Sequence, residues 1–333
     1  MNIQIKKWGT LILLSIIWGS SYILIKKGLT GLTAIELGSI RIIITTIIVA
    51  PFGYSKIKLI PKEKFKWVLF SACVGSFFPA YLFAFAETQI SSSVTAVMVS
   101  LTPLFTLLIS VLIFSTAFIR RQLLGVCIGF IGILILVYNE LLISSYNLLF
   151  VSFVIIAAFC YAINANILKY KLPGIPAIAL VFMSFVFLFI PAFIILILSD
   201  FPISEFIYAP DIIESIVYIF ILALFGTAIA KTMYIKLLEI STPVFSVSTT
   251  YLMPIVAIFW GLLDGEEFKL IQVIGTAVIL IGVYLVTKKK GRLKKHPCFV
   301  YSKSESEVST FNIIEVAFKN NPPGIGIEGV TKF

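Results

Sequence analysis

Apolar runs long enough to cross a bilayer recur along most of this chain, and no other feature constrains its fold as strongly. They occupy residues 8–25, 36–54, 65–85, 92–114, 121–139, 147–168, 177–198, 213–236, 241–263 and 269–287, separated by short charged clusters. About 20 apolar residues in a helix match the hydrocarbon thickness. Composition agrees: 59% of the residues are hydrophobic and 13% are charged, against roughly 25% charged in a soluble domain. The sequence therefore predicts an all-α polytopic membrane protein with ten transmembrane helices, placed in the cell (inner or plasma) membrane and surrounded by lipid. The first run follows Lys6 and Lys7 as a secretory leader would, but it ends in Tyr22-Ile-Leu-Ile-Lys26-Lys27 without a small-x-small cleavage site. It is read as an uncleaved first helix.

The chain also repeats itself. With Gly75 laid on Gly226, Pro103 falls on Pro254, and one deleted position later Gln122, Gly125 and Gly132 fall on Gln272, Gly275 and Gly282. A weaker match sets Trp18-Gly-Ser-Ser-Tyr22 and Lys26 over Tyr161-Ala-Ile-Asn164-Ala-Asn166 and Lys169. The chain thus divides into a first five-helix repeat (residues 1–139), a second (140–287) and a basic, polar tail (288–333) expected to be disordered and cytoplasmic, its basic start against anionic headgroups.

Charge sets the orientation. With the N-terminus in the cytoplasm, Lys6, Lys7, Lys56, Lys58, Lys62, Lys64, Lys66, Arg120, Arg121, Lys169, Lys171 and Lys236 all lie on cytoplasmic segments, whereas Asp200, Glu205, Asp211, Glu214, Asp264, Glu266 and Glu267 lie outside. The positive-inside rule then places both termini inside. Because each repeat has an odd number of spans, the second enters the membrane from the opposite side. Two inverted repeats with a site between them near the midplane form an architecture used by secondary transporters.

These residues carry a resemblance. Trp18-Gly-Ser-Ser-Tyr22, Arg41 early in the second span, Pro103 and Pro254, Gly265-Glu266 in the last external turn and the doubled Gln-x2-Gly-x6-Gly resemble the ten-span, EamA-type members of the drug/metabolite transporter superfamily over residues 8–287. The resemblance implies a metabolite exporter fold with a central cavity. The family usually has a second Gly-Glu turn after the fourth span, where this chain has Ser115-Thr116, so the first half has no counterpart of that glutamate.

Ionisable residues within spans are costly and mark candidate sites. Lys231, five residues before Lys236, either snorkels to the cytoplasmic interface or faces the cavity as a cation that holds a carboxylate or phosphate. Arg41 either snorkels or pairs with Glu36 or Glu87 at the external rim, or it grips a carboxylate or forms an outer gate with Glu87. No Asp or Glu stands near the middle of a span, which argues against a buried carboxylate as a proton-coupling group. Trp18, Tyr22, Tyr81, Asn164, Asn166, Thr250 and Tyr251 complete the candidate binding set, each weighed against plain helix packing. Pro103 and Pro254 are candidate hinges, and Glu266 is a candidate gating residue. Gly125, Gly129, Gly132, Gly275 and Gly282 are expected to let the fifth and tenth spans pack closely, and this pair could also serve as a dimer face; monomer and homodimer both stay open.

The function class follows by elimination. The single histidine is His296 and no two cysteines form a CxxC pair, so metal centres, disulfide frameworks and cofactors are not suggested. An intramembrane enzyme would need paired carboxylates, an HExxH or a Ser/His set, and the spans hold none. Two intramembrane cations without an intramembrane anion favour anionic or zwitterionic solutes. The expectation is a non-enzymatic secondary transporter that exports small carboxylated or amino-acid-like metabolites by alternating access, with no nucleic-acid partner. A broad drug exporter or an importer is the alternative.

Overall fold

The structure is a computed structural model that describes residues 3–114, 121, 124–125, 127–132, 134–135, 147–199, 201, 209–267 and 269–287. Gln122, Ser115-Thr116, Arg120, Asp200, Glu205 and the tail 288–333 lie outside the described residues. Among the described residues all secondary structure is helical, as it must be where lipid offers no partner to a backbone N–H or C=O. Eight stretches are long and apolar enough to cross a membrane: Ile3–Gly28, Ala34–Leu59, Lys62–Glu87, Ser92–Leu112, Leu148–Tyr170, Ala177–Leu198, Pro210–Glu239 and Pro243–Leu263. A shorter apolar helix lies at Leu270–Gly282, and the described positions between 121 and 135 are helical too.

We label the α-helical pieces α1 (Ile3–Gly28), α2 (Ala34–Gly53), α3 (Phe65–Ala72), α4 (Phe78–Glu87), α5 (Ser92–Val99), α6 (Thr102–Leu112), α7 (Asn147–Tyr170), α8 (Ala177–Leu198), α9 (Pro210–Ile221), α10 (Ala230–Glu239), α11 (Pro243–Val247), α12 (Met253–Leu263) and α13 (Leu270–Thr287). Their outer faces carry exposed side chains such as Phe52, Ile190 and Ile255, which water would penalise and lipid accepts. Inside, buried apolar residues form two clusters. One is built around Leu37, Phe83 and Met98, the other around Leu14, Leu180 and Phe185, and Trp18 packs against both.

Irregularities recur at matched positions. Between α3 and α4 the backbone widens into a π-helical turn, Cys73–Phe77, and between α9 and α10 into another, Leu222–Ile229; these hold Gly75 and Gly226. Such bulges inside α-helices are frequently found at functional sites. The α5–α6 span breaks at Ser100-Leu101, and the α11–α12 span runs through a 3-10 turn, Ser248–Tyr251. Pro103 and Pro254 each stand in the first turn of the helix that follows. A proline lacks the N–H and its ring clashes with the carbonyl four residues back, here Val99 and Thr250. Both orphaned carbonyls find hydroxyls: Thr102 Oγ1 donates to Val99 O at 2.7 Å, and Ser100 Oγ donates across the bundle to Thr250 O at 2.8 Å. The two prolines are therefore helix restarts, and the breaks they create touch each other.

The packing is paired in the same way. α4 packs on α7 as the Pro210–Glu239 span packs on α1, α6 packs on α7 as α12 packs on α1, and α2 packs on α8. At the N-terminal end of α1, Trp8 meets Phe245 edge-on. At the C-terminal end of α7, Lys169 donates to Ser241 O, whose hydroxyl meets that of Ser246. Through this chain of contacts, α1 and α7 run in opposite directions.

Candidate functional site

A central cavity, with about 750 Å³ of empty space counting its open mouth, lies where these irregularities meet. Trp18, Tyr22, Arg41, Asn164, Lys231 and Thr250 line it, together with Ser21, Gly75, Phe83, Thr102, Tyr161, Tyr234 and Thr249. Apolar and aromatic walls with a few placed polar groups are what small-molecule sites are made of. Residues from both sides of position 140 share this lining, and the π-helical turns bring the walls close. A Cβ added at Gly75 would collide with the Asn164 amide, and one at Gly226 would lie 2.7 Å from Ser21 Oγ; Ser21 and Asn164 are themselves matched positions. Trp18 Nε1 donates to Gly226 O at 2.9 Å, which fixes the indole against a widened turn.

Two cations dominate the site. Lys231 Nζ donates to Ser76 Oγ and lies 5.6 Å from the centroid of the Phe185 ring. Arg41 Nε donates to Thr227 Oγ1 at 3.0 Å. A small adjoining cavity is bounded by Arg41, Ser76, Thr227, Lys231 and Tyr161 together. The ion pairs among the described residues all lie elsewhere, and the hydrogen bonds given for the two cations go to neutral hydroxyls. In this structure Lys231 faces the cavity, and Arg41 is bonded to Thr227 while Glu36 caps α2 in a capping box with Thr33. A pair of cations without an ion-pair partner among the described residues, in a low-dielectric wall, is a strong attractor for an anion.

Around them the aromatic side chains form a frame. Tyr22 meets Phe83 edge-on with centroids 6.0 Å apart, and Trp18 packs on Tyr234 at 5.4 Å. Asn164 Oδ1 accepts from Ser71 Oγ at 2.5 Å. Three expected residues lie outside the cavity lining. Tyr81 hydrogen-bonds Ser39 at 2.9 Å and packs on Phe77, Tyr251 ends the 3-10 turn, and Asn166 ties α7 to α6 by accepting from Ser110 Oγ at 2.6 Å and donating to Thr106 O at 3.3 Å. Conversely, Tyr161, Tyr234, Phe83 and Ser76 border the site without standing out in the sequence. Tyr161 does carry a signal, because it occupies the repeat position of Trp18; Tyr234, three residues after Lys231, shares its helix face.

Beyond Lys231 the cavity adjoins a second, lined by Asn164, Leu168, Leu172, Ser184 and Ile235, and then a third, lined by Lys169, Gly174, Leu238 and Glu239. At the opposite end of the bundle an ion cluster ties α1, α5 and the turn after α12 together. Lys26 reaches Asp264 at 2.8 Å and Glu266 at 3.0 Å, and Lys27 reaches Asp264 at 2.5 Å. Glu266 also accepts from Ser92 N (3.0 Å), Ser92 Oγ (2.8 Å), Ser93 N (3.2 Å) and Ser93 Oγ (2.6 Å), so it caps the positive N-terminal end of α5. Gly265, at φ 81°, makes the tight turn possible because a side chain there would be strained.

Burial alone would raise the Glu266 pKa, but the hydrogen bonds from Ser93, Lys26 and Ser92 outweigh it and hold the carboxyl below its ordinary 4.5. A depressed carboxylate contributes stability above the ordinary pKa and loses it as pH falls through the folded-state value. Thermal unfolding of the purified protein is therefore expected to show a drop in midpoint as pH falls below about 4.5, and Glu266→Gln is expected to start lower and flatten that drop. Equal pH profiles for the two proteins would contradict the assignment.

The EamA-like transporter family model matches residues 7–138 and again residues 148–288. The chain is 28% identical over 290 residues to the uncharacterized inner membrane transporter YedA of Escherichia coli (strain K12), covering 85% of this chain and 91% of that protein. It is 26% identical over 301 residues to an uncharacterized transporter of Archaeoglobus fulgidus, covering 86% of this chain and all of that protein. A solved crystal structure superposes with a TM-score of 0.58 at 12% identity, over 85% of this chain and 96% of that one, a likeness of fold alone. Apolar helices, a central cavity and a family match along both halves together make this a multi-pass membrane transporter, and the chain belongs to the EamA-like transporter family.

Proposed function

We propose that the protein is a secondary transporter that exports small organic metabolites carrying a carboxylate, amino-acid-like solutes among them, by alternating access between two inverted five-helix repeats with both termini in the cytoplasm. The observation that carries this reading is the pair of cations, Lys231 and Arg41, that share one cavity wall without an ion-pair partner among the described residues. Lys231 and Arg41 hold the carboxylate, Asn164 and Thr250 supply neutral hydrogen bonds, and Trp18 and Tyr22 with Phe83 and Tyr234 enclose the apolar part of the solute.

The inverted-repeat reading is supported by the π-helical turns and proline breaks at matched positions, by the opposite directions of α1 and α7, and by the swapped contacts of Gly75 with Asn164 and Gly226 with Ser21. Pro103 and Pro254 would act as the flexible points, since the breaks they create meet at Ser100 and Thr250 beside the cavity. The conformation has one end closed, and export would begin from such a state. The ion cluster around Glu266 closes the end that charge distribution assigns to the outside, while the chain of adjoining cavities leads from Lys231 toward the cytoplasmic loop at Lys171.

Thermal unfolding in the presence of a panel of amino acids, other carboxylates and organic cations tests the solute class. A ligand that binds only the folded state raises the midpoint by mass action. Carboxylated compounds are expected to stabilise the protein and cations of similar size to leave it unchanged; the reverse ranking would favour a drug exporter and overturn the carboxylate assignment.

A further inference from the structure

One buried acid belongs neither to the cavity nor to the ion cluster. Glu87 is the last residue of α4, it is 7% exposed, and neither of its carboxylate oxygens has a hydrogen-bond partner among the described residues. A buried carboxylate with no donor is among the most costly groups a protein can hold as an anion. Its position makes the cost worse, because the C-terminal end of a helix presents carbonyls and repels negative charge.

No neighbour among the described residues donates a hydrogen bond to it. Of the charged groups on the elements around it, Lys26 on α1 is committed to Asp264 and Glu266, and Arg41 on α2, although its positive charge favours the anion, hydrogen-bonds Thr227 and makes no ion pair with Glu87. Glu36 on α2 caps its own helix with Thr33. Tyr22 on α1 and Tyr161 on α7 make no hydrogen bond to it, α5 has no titratable side chain, and Glu266, bonded to Ser92 five residues further on, brings a second negative charge to this end of the bundle. No acid stands at mid-span, where the sequence would suggest looking for a proton-coupling group. The buried acid is instead at the end of a span, under the ion cluster.

We propose that Glu87 carries a proton while the ion cluster around Glu266 is closed and gives it up to external water when that cluster opens, so that closing the outside of the transporter and binding an external proton are one event. The only bond made or broken is the carboxyl O–H, and the proton donor and acceptor is water. The external placement rests on the orientation proposed above; the proton site does not depend on the solute.

The test is infrared spectroscopy of the full chain in lipid vesicles at neutral pH, without any solute, following the carbonyl stretch of a protonated carboxyl. The wild type is expected to show this band. Glu87→Gln is expected to lose the intensity of one carboxyl, and Glu87→Asp to keep a band at a shifted position, which guards against a glutamine variant that fails to fold. Opening the cluster with Lys26→Met and Asp264→Asn is expected to weaken the band at neutral pH and to restore it at lower pH. A wild type without the band, or a band that survives Glu87→Gln, overturns the proton site; an unchanged band in the opened variant overturns its link to the cluster. Because no solute is present, failure here leaves the anion cavity standing, and loss of solute binding in Lys231 variants leaves Glu87 standing.

Discussion

Lys231→Ala is expected to abolish solute binding and export while leaving the protein folded and inserted. Removing one member of a buried charged pair costs about 2–5 kcal/mol, a loss of at least about thirtyfold in affinity, because the carboxylate of the solute would still be stripped of water when it enters. Lys231→Met separates charge from packing: it keeps an unbranched apolar stem but removes the ammonium that lies over the Phe185 ring, and is expected to fail as badly as alanine. Lys231→Arg retains the charge but not the compact ammonium that fits beside Ser76, and is expected to be intermediate. Midpoint shifts with the stabilising carboxylate, measured on each variant, decide the matter. If Lys231→Met binds like the wild type, the positive charge is not the anchor and the cation assignment fails.

The scaffold is expected to be equally sensitive at one glycine. A Cβ at Gly282 would run into backbone atoms, Gly129 N and Gly125 O, the latter at 2.6 Å, and one at Gly132 would meet Ile279 N at 2.7 Å. Side chains can swing away from an added methyl, but two helix backbones have nowhere to go without separating. Gly282→Val is therefore expected to destabilise by about 3 kcal/mol or more, the upper end of overpacking costs, and to lower the thermal midpoint and the amount of protein in the membrane. Gly9→Val is the control, since nothing lies within 4 Å of a Cβ there. Equal stability of the two variants would mean that the described helical positions between 121 and 135 do not meet α13 through their glycines.

Much of this architecture is legible in the sequence because membrane helices announce themselves by length, and because one half of the chain explains the other. Pro103 and Pro254 stand out as a matched pair from their spacing alone, as do Gly75 and Gly226. Lys231 and Arg41 stand out for a physical reason: charge within an apolar run needs an explanation. The face that each residue occupies is far less legible. Asn164 and Asn166 look equivalent on paper, but two residues along a helix are about 200° apart. Asn164 reaches the cavity and Asn166 holds α6 to α7. Tyr234 reads as ordinary aromatic filling in an apolar helix and Tyr161 is marked only by its repeat match to Trp18, since only packing shows which rings border empty space. Glu87 stands out in the sequence as a rim partner for Arg41, but an acid at the end of a span suggests water, and only the fold shows that protein covers it.

Whether this cavity exports a carboxylated metabolite held by Lys231 is decided most simply by comparing the metabolites released by cells that express the wild type or Lys231→Ala at equal membrane abundance. One or more carboxylated compounds are expected to be enriched outside the wild-type cells and missing from whatever excess the variant releases. Identical release by both, or an excess made up of cationic compounds, would contradict the assignment.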